Sequence, residues 1–419
     1  MSDAYTILEK SLCMAIYVNP DNSLFHDIVH SPIYIDKTEL LHFTDSCINT
    51  TSRFVCNSRP RRFGKSITAD MLCAWYSKGC NSKDLFSDLK ISAYTEDQKY
   101  RNSFHVIHLD MLNMVDRCVQ PENIIPFIET SVIQELRQEY RDVDLSSCTR
   151  LNICLSLISQ KLNERFIIII DEWDMIIRDP MFSEYTKDQY ISFLRGLFKG
   201  QEANQSIALA YLTGILPIRK TLAQSSLNNF EEYTMISAAP ISRFIGFTEE
   251  EVADLCAVHH MDYTQIRSWY NGYRLDGHHL YNPRAVITAL TRGVFQSYWT
   301  STNSYETVKE YIEQDFDGLK EAVIEMLAGN SIHIRTSTFQ NDLSSLKNKD
   351  DVLTLLVHLG YLAYDFQTKT VSIPNEEIRL EFEDAVSESY WSRLNEFEDE
   401  SEQILNAVIN RDEKTVAEK

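Results

Sequence analysis

Short apolar runs alternate with longer segments of helical periodicity over the first half of the chain. The apolar runs predict four β-strands, at residues 53–57, 104–110, 166–170 and 206–213. Between them, apolar residues recur at helical spacing in the segments 66–78, 121–140, 151–163 and 187–199. The run 166–170 (FIIII) is apolar on both faces, as in a central strand of a parallel sheet. The alternation therefore predicts an α/β fold, with a parallel sheet covered by helices on both faces.

After about residue 230 the pattern becomes mainly helical. The periodicity predicts helices at 248–258, 262–270, 283–292, 304–314 and 318–328. A helix at 351–361, a hairpin at 362–373 that turns around 367–369 and a helix at 376–386 outline a winged-helix-like unit. We therefore expect four units: residues 1–230, a helical lid or partner region at 231–330, a winged-helix-like domain at 331–400, and an acidic tail or linker at 401–419.

Charge and composition narrow the function classes. The 419 residues include 40 Lys and Arg against 61 Asp and Glu, a net charge of −21. Residues 376–419 carry 14 acidic and 5 basic residues, a net −9, so we expect no direct contact with nucleic acid from this end. Nine scattered cysteines without ligand spacing indicate reduced thiols. The longest apolar run is too short for a membrane span, and we expect a soluble cytoplasmic protein.

One basic loop has the composition of a phosphate-binding site. Residues 59–66 (RPRRFGKS) stand between a predicted strand and a predicted helix, where a P-loop belongs. Gly64 allows close approach of a phosphate, Lys65 would reach the β- and γ-phosphates, and the Ser66 hydroxyl would bind Mg²⁺. The first glycine usual in a P-loop is replaced by Arg59. A basic helix start on the surface is the alternative interpretation. The candidate nucleotide-binding residues are Arg59, Arg61, Arg62, Phe63, Gly64, Lys65, Ser66 and Ile67.

A second motif supports the phosphate-binding interpretation. The buried strand 166–170 runs directly into Asp171 and Glu172, and ligand sites of α/β proteins form at such strand ends. Asp171 would hold Mg²⁺ and Glu172 would act as general base on the attacking water. Thr213, at the end of the next predicted strand, is a candidate sensor of the γ-phosphate. Together the two motifs predict a nucleotide-binding P-loop domain.

Charge neutralisation during hydrolysis needs a further cation, and the sequence offers several. Arg219, Lys220 and Arg243 are candidates in the same chain or across subunits. A ring assembly would use an arginine of a neighbouring subunit, for which Arg178, Arg195, Arg219 and Arg243 cannot be ranked. A homo-oligomer is therefore one expectation.

The order of motifs resembles that of the AAA-ATPase-like family. IYIDKT (33–38), SRPRRFGKS (58–66), FIIIIDEWD (166–174) and LTGILPI (212–218) follow one another as in that family. The downstream blocks FIGFTEEEV (244–252), WYNGYRL (269–275), LYNPRAV (280–286) and SYWTST (297–302) are similar as well. The resemblance implies that Gly64, Lys65 and Ser66 form the Walker A motif and that Asp171 and Glu172 form Walker B. The resemblance also implies that Arg59, in place of the usual first glycine, is typical of the family. It assigns no role to the segment 33–38.

Many members of that family continue into a PD-(D/E)xK nuclease domain. Such a domain holds Mg²⁺ with an Asp and a Glu-x-Lys motif on neighbouring strands, and we find no such strand pair after residue 376. The motifs predict Mg²⁺-dependent ATP hydrolysis that drives a conformational switch. The resemblance implies that this switch regulates an associated nuclease in DNA metabolism or defence, or another partner protein. ATP is expected because no NKxD-like guanine-binding motif occurs. The alternative is a nucleotide-bound interaction scaffold with little hydrolysis. Direct DNA binding through the winged-helix-like end is disfavoured by the local charge.

Overall fold

Five parallel strands form the central sheet. A computed structural model of the chain describes residues 16–218, 227–299, 316–339, 346 and 348–386. The strands of the sheet are β1 (Phe54–Ser58), β2 (His105–Asp110), β3 (Phe166–Asp171), β4 (Ile207–Gly214) and β5 (Glu231–Tyr233). Their order is β2-β3-β4-β1-β5, with every neighbouring pair parallel. The carboxyl ends of all five strands therefore lie at one edge, with β4 between β1 and β3.

Helices cover both faces of this sheet. They are α1 (Ser23–Val29), α2 (Leu40–Cys47), α3 (Lys65–Tyr76), α4 (Met111–Arg117), α5 (Ile124–Glu139), α6 (Leu151–Leu162), α7 (Met175–Arg178), α8 (Glu184–Phe198) and α9 (Gln201–Ser206). Alternate residues of β3 enter two separate cores. Ile167 and Ile169 pack with α1, α2 and α3, and Ile168 and Ile170 pack with α5, α6 and α8. This burial of both faces explains why the strand is apolar throughout.

A smaller antiparallel sheet follows. It consists of β6 (Phe247–Thr248), β7 (Tyr273–Leu275) and β8 (His278–Tyr281), with β8 in the middle. Helices α10 (Glu249–His259), α11 (Tyr263–Tyr270) and α12 (Pro283–Arg292) pack around a core of their own. The Thr248 hydroxyl and the Glu251 carboxylate form a capping box that begins α10.

The last described part packs on the α3 side of the central sheet. It contains α13 (Leu319–Leu327), β9 (Ile332–His333), α14 (Lys349–Leu359), the hairpin of β10 (Ala363–Asp365) and β11 (Thr370–Ser372), and a helix at 376–386. Tyr361, Ile378 and Phe382 belong to the same core as Val55 of β1. The C-terminal part therefore shares a hydrophobic core with the strand that precedes the basic loop.

The α/β architecture predicted from the sequence is confirmed, and the predicted hairpin and its two flanking helices are present. The central sheet extends past residue 230, because β5 lies at 231–233, and the small sheet of β6, β7 and β8 was not predicted. The predicted helix 304–314 and the acidic tail 401–419 lie outside the described residues. None of the described helices combines the length and apolarity needed to cross a membrane.

Candidate functional site

The basic loop leads from β1 into the amino terminus of α3. Gly64 is the N-cap residue of α3 and has a φ of +91°. A Cβ atom added to Gly64 would meet no protein atom within 4 Å. The main-chain N–H groups of the first helical turn have no partner within a helix, so they form a site for an anion. Ser66 and Ile67, on this turn, are exposed.

Lys65 joins the basic loop to the acidic strand end. Its side chain is 4 % exposed, and Nζ donates to the carbonyl oxygen of Pro60 at 3.1 Å. Nζ also lies 3.2 Å from Oε1 of Glu172. The two motifs are far apart in the sequence, and the sheet order brings them together at one edge.

The acidic strand end is tied to β4. Asp171 is 4 % exposed, and its Oδ1 accepts hydrogen bonds from the Thr213 hydroxyl and from the main-chain N–H of Glu172, the latter at 3.0 Å. The Glu172 backbone has a φ of +53°, a left-handed conformation that costs energy in a residue with a side chain. Thr213 is buried and fixes Asp171 here, and its predicted contact with a γ-phosphate stays a prediction.

Glu172 is held between two cations. Besides Lys65, Arg178 of α7 contacts it, with Nη2 at 2.8 Å from Oε2. Burial raises the pKa of Glu172, but the charges of Lys65 and Arg178 outweigh burial and hold this pKa below its ordinary value. Glu172 is therefore an ionised carboxylate at neutral pH. Burial and the Arg178 charge lower the pKa of Arg61, whose charge belongs to the same cluster.

Asp174 anchors Arg178 to the turn after β4. Its carboxylate is fully buried, and Oδ2 accepts from Arg178 Nε at 2.8 Å. The same oxygen accepts from the main-chain N–H groups of Ile215 at 3.1 Å and Leu216 at 2.8 Å. A Cβ on Gly214 would lie 2.7 Å from Asp174 Oδ1, so the close approach requires glycine. Neither Asp174 nor the contact between Arg178 and Glu172 was predicted from the sequence.

Three predicted nucleotide-binding residues direct their side chains to protein groups. Arg59 is fully buried and donates to the carbonyl oxygens of Ser58 at 2.9 Å and Tyr233 at 3.1 Å, which joins β1 to β5. Burial lowers the pKa of Arg59 to about 10. Arg62 donates to the carbonyl oxygen of Tyr298 at 2.6 Å. Phe63 is buried, with its ring edge-on to another aromatic ring. The structure therefore gives these three side chains contacts that hold the loop.

A largely apolar cavity of about 340 Å³ opens beside the loop. One wall comes from the amino-terminal segment, including Phe25 and Tyr34, and a second from Gly64 and Ile67. The third wall comes from the part of the chain around β6 and α12, including Phe247. Its volume and lining suit a small, mostly apolar ligand group.

The segment 33–38, for which the sequence offered no role, holds this cavity together. Asp36 accepts from the Thr38 main-chain N–H at 2.8 Å and from the Lys90 main-chain N–H at 2.7 Å. Lys37 Nζ crosses to Glu251 Oε2 at 2.5 Å and to the Arg243 carbonyl oxygen at 2.7 Å. Lys37 therefore fastens the amino-terminal wall to the start of α10.

The other candidate cations are placed differently. Arg195 lies exposed on α8, and the Arg243 side chain is 50 % exposed. Arg219 and Lys220 lie outside the described residues. Within the described ranges, Arg61 and Arg178 are therefore the arginines whose charges act on Glu172.

Family comparison agrees with this geometry. Residues 23–222 match the model of a family described as "Predicted AAA-ATPase", and this range includes the basic loop and the acidic strand end. Over residues 23–222 the chain is similar to the AAA-ATPase-like family. The assignment of the loop at 59–66 as a P-loop stays a prediction, and the parallel sheet covered by helices on both faces is the fold class predicted from the sequence.

Individual relatives are distant. A curated protein of Azotobacter chroococcum mcd 1, described as "Uncharacterized protein in vnfD 5'region", is 26% identical over 279 residues. This alignment covers 65% of this chain and 51% of the relative, so the chain spans about half the length of the curated relative it matches.

Two solved structures are similar. The Walker-type ATPase PABY2304 of Pyrococcus abyssi is 12% identical with a TM-score of 0.40, and the match covers 83% of this chain and 94% of that one. The ORC2 protein of Aeropyrum pernix, described in ADPNP-ADP complexes, is 13% identical with a TM-score of 0.39, over 87% of this chain and 98% of that one.

Proposed function

We propose that the protein binds ATP with Mg²⁺ and hydrolyses it, and that hydrolysis drives a conformational switch. The observation that supports this most is the contact between Lys65 and Glu172, 3.2 Å apart at the amino terminus of α3. It joins a phosphate-binding cation to a candidate base at the sheet edge where α/β proteins bind ligands.

The triphosphate of ATP would lie over the P-loop, and its adenine base would enter the cavity. The N–H groups at Gly64 and in the first turn of α3 would receive phosphate oxygens, with Lys65 on the β- and γ-phosphates. The apolar cavity that Gly64 and Ile67 line continues from this place, and its volume of about 340 Å³ is suited to a nucleobase.

Ser66 and Asp171 are the residues that would hold Mg²⁺. The Ser66 residue is exposed on the first turn of α3, and Asp171 ends β3. No group of three or more His, Cys, Asp or Glu residues in the described part of the chain is placed to hold a metal ion. A partial set of protein ligands fits Mg²⁺, which is usually bound together with substrate phosphates. When bound, Mg²⁺ would stabilise negative charge on those phosphates.

Glu172 would act as the general base. Its ionised carboxylate can accept a proton from a water molecule that attacks the γ-phosphorus. In the present structure both carboxylate oxygens contact cations, so Glu172 has to leave at least one of them before it acts. Nucleotide entry would provide the exchange, because phosphate oxygens compete for the same cations.

The switch would pass from the P-loop to the C-terminal part. Arg62 contacts the Tyr298 carbonyl oxygen, and the Tyr298 N–H donates to Glu377 Oε1 at 2.8 Å. A Cβ on Gly360 would lie 2.7 Å from Cβ of Pro60, so the Pro60 ring packs closely against the backbone at Gly360. A movement of the loop would therefore displace residues 360–377. From the family resemblance, we propose that this displacement changes the activity of an associated nuclease or other partner protein. This chain would not itself contact nucleic acid.

A nucleotide-bound scaffold is the second candidate. The observation in its favour is that Glu172 is bound by Lys65 and Arg178 at once, which would keep it from water if ATP did not break these contacts. A scaffold binds ATP and releases no phosphate, whereas an ATPase does both.

The test is an equilibrium titration of ATP with Mg²⁺, followed by phosphate release. We expect Lys65→Ala to weaken ATP binding by at least about tenfold, a change of about 1.4 kcal/mol. Lys83→Ala removes an exposed lysine elsewhere on the chain and should bind ATP as the wild type does. Equal ATP affinity of the two variants would contradict the assignment of the loop. ATP binding without phosphate release by the wild type would support the scaffold.

A further inference from the structure

Arg178 and Lys65 hold opposite oxygens of one carboxylate. Nη2 of Arg178 is 2.8 Å from Oε2 of Glu172, and Nζ of Lys65 is 3.2 Å from Oε1. A second bond, from Arg178 Nε to Asp174 at 2.8 Å, fixes the guanidinium at its other end. The side chain of Arg178 is 12 % exposed.

We propose that Arg178 is a catalytic residue that stabilises the γ-phosphoryl group during hydrolysis, and that it acts within its own chain. This inference rests on the proposed ATPase function. It gives a role to an arginine for which the sequence suggested only a contribution to a neighbouring subunit.

The position of Lys65 locates the γ-phosphate. A P-loop lysine reaches the β- and γ-phosphates, so a group that shares a carboxylate with Lys65 lies within reach of the same phosphate. The γ-phosphoryl oxygens can replace the carboxylate of Glu172 between Lys65 and Arg178. On this proposal the γ-phosphate takes the place that the Glu172 carboxylate occupies between Lys65 and Arg178.

Asp174 makes this exchange possible without moving Arg178. Its Oδ2 is fixed by the N–H groups of Ile215 and Leu216 and receives Nε of Arg178. With Nε held, the terminal nitrogens of the guanidinium remain directed at the phosphate, and a planar guanidinium can donate to two oxygens at once. Asp174 is therefore a positioning residue.

The reaction balances with these groups. Water oxygen forms a bond to the γ-phosphorus while its proton passes to the Glu172 carboxylate. The bond from the γ-phosphorus to the bridging oxygen breaks, and its electron pair stays on the β-phosphate of ADP. Arg178 stabilises the charge on the transferring group, and Glu172 then returns the proton to phosphate.

Burial distinguishes Arg178 from an arginine that enters a neighbouring subunit. Such a side chain has to protrude, as that of the exposed Arg195 does, whereas Arg178 is committed to two carboxylates of its own chain. The geometry therefore favours action in the same chain.

The experiment compares Arg178→Ala with Arg141→Ala, which removes an exposed arginine elsewhere on the chain. Both are measured in the full chain by ATP affinity, phosphate release, and affinity for ADP with aluminium fluoride, which imitates the transferring group. We expect Arg178→Ala to lower kcat at least about 10³-fold, as loss of such an arginine does. Its ATP affinity should change far less, and its affinity for ADP with aluminium fluoride should be lost. Arg141→Ala should match the wild type in all three.

Three results would overturn the inference. If Arg178 only restrains Glu172, Arg178→Ala will raise kcat. If Arg178 is only structural, phosphate release will change no more than ATP affinity does. If Arg178 acts across subunits, an excess of Lys65→Ala chains, which retain Arg178, will restore phosphate release to Arg178→Ala; we expect no restoration.

A folding defect has its own control. Arg178→Ala leaves the buried Asp174 without its cation, so thermal melting is measured alongside. If Arg178→Ala does not fold, Arg178→Lys retains the charge but cannot hold Asp174 and the phosphate together, and we expect it to lose most of the kcat. Wild-type kcat in Arg178→Lys would overturn the inference. Absence of phosphate release by the wild type would overturn the proposed ATPase function itself, whereas release unaffected by Arg178→Ala overturns only the role of Arg178.

Discussion

Replacement of Gly64 by alanine separates backbone strain from phosphate binding. Gly64 has a φ of +91°, and a Cβ atom added to it would meet no protein atom within 4 Å. An alanine there costs about 1–2 kcal/mol from the left-handed backbone alone. Gly277, between β7 and β8, has a φ of +81° and equally open surroundings. Gly277→Ala therefore carries the same strain at a place away from the basic loop.

The two variants should lose similar stability and differ in ATP binding. A cost of about 1–2 kcal/mol lowers Tm by a few degrees in a domain of this size. In Gly64→Ala the added methyl group also stands where phosphate oxygens would approach the N–H groups of α3, so we expect ATP affinity to fall at least about tenfold, or about 1.4 kcal/mol. Thermal melting and an ATP titration on both variants measure these effects. Equal ATP affinity in the two would refute the placement of the phosphates at Gly64.

Two further predictions concern the contacts that hold the site. Lys37→Met breaks a nearly buried ion pair with Glu251 and should destabilise the fold by about 1–3 kcal/mol. We expect a lower Tm and weaker ATP binding, and an unchanged Tm would show that the pair does not fasten the cavity wall. Burial raises the pKa of Glu377 from 4.5 to about 8, so the folded protein keeps a proton that the unfolded chain releases, and stability should fall by about 1.4 kcal/mol per pH unit between these values. Glu377→Gln retains an acceptor for the Tyr298 N–H. Between pH 5 and pH 8 its Tm should fall less than that of the wild type or of Glu376→Gln. An equal fall of Tm in all three proteins would contradict the effect of burial on the Glu377 carboxyl group.

The location of the site could be predicted because parallel strands end at a common edge. Lys65 follows β1, Asp171 and Glu172 stand at the end of β3, and Thr213 is the second-last residue of β4. Alternating strands and helices therefore suffice to bring them together. The order of strands could not be predicted in this way. The insertion of β4 between β1 and β3, which sets the contact of Thr213 with Asp171, depends on tertiary packing.

The directions of individual side chains could not be predicted from the sequence, because they depend on which groups the fold places beside them. Arg59 stands in the motif that the sequence predicts to bind phosphate, yet its side chain donates to the carbonyl oxygens of Ser58 and Tyr233. The strands β6 and β7 have two and three residues, too few for an alternating pattern to be recognised. Arg178 is one of many arginines in the sequence, and only the turn from β3 into α7 brings it to Glu172.

Phosphate release from ATP by the wild type and by Glu172→Gln is the measurement that tests the central claim most directly. The glutamine keeps the shape of the side chain and cannot accept the proton of the attacking water. We predict that the wild type releases phosphate in the presence of Mg²⁺, and that Glu172→Gln binds ATP but releases phosphate about 10²–10⁴-fold more slowly. Release by Glu172→Gln at the wild-type rate, or no release by the wild type, would contradict the account.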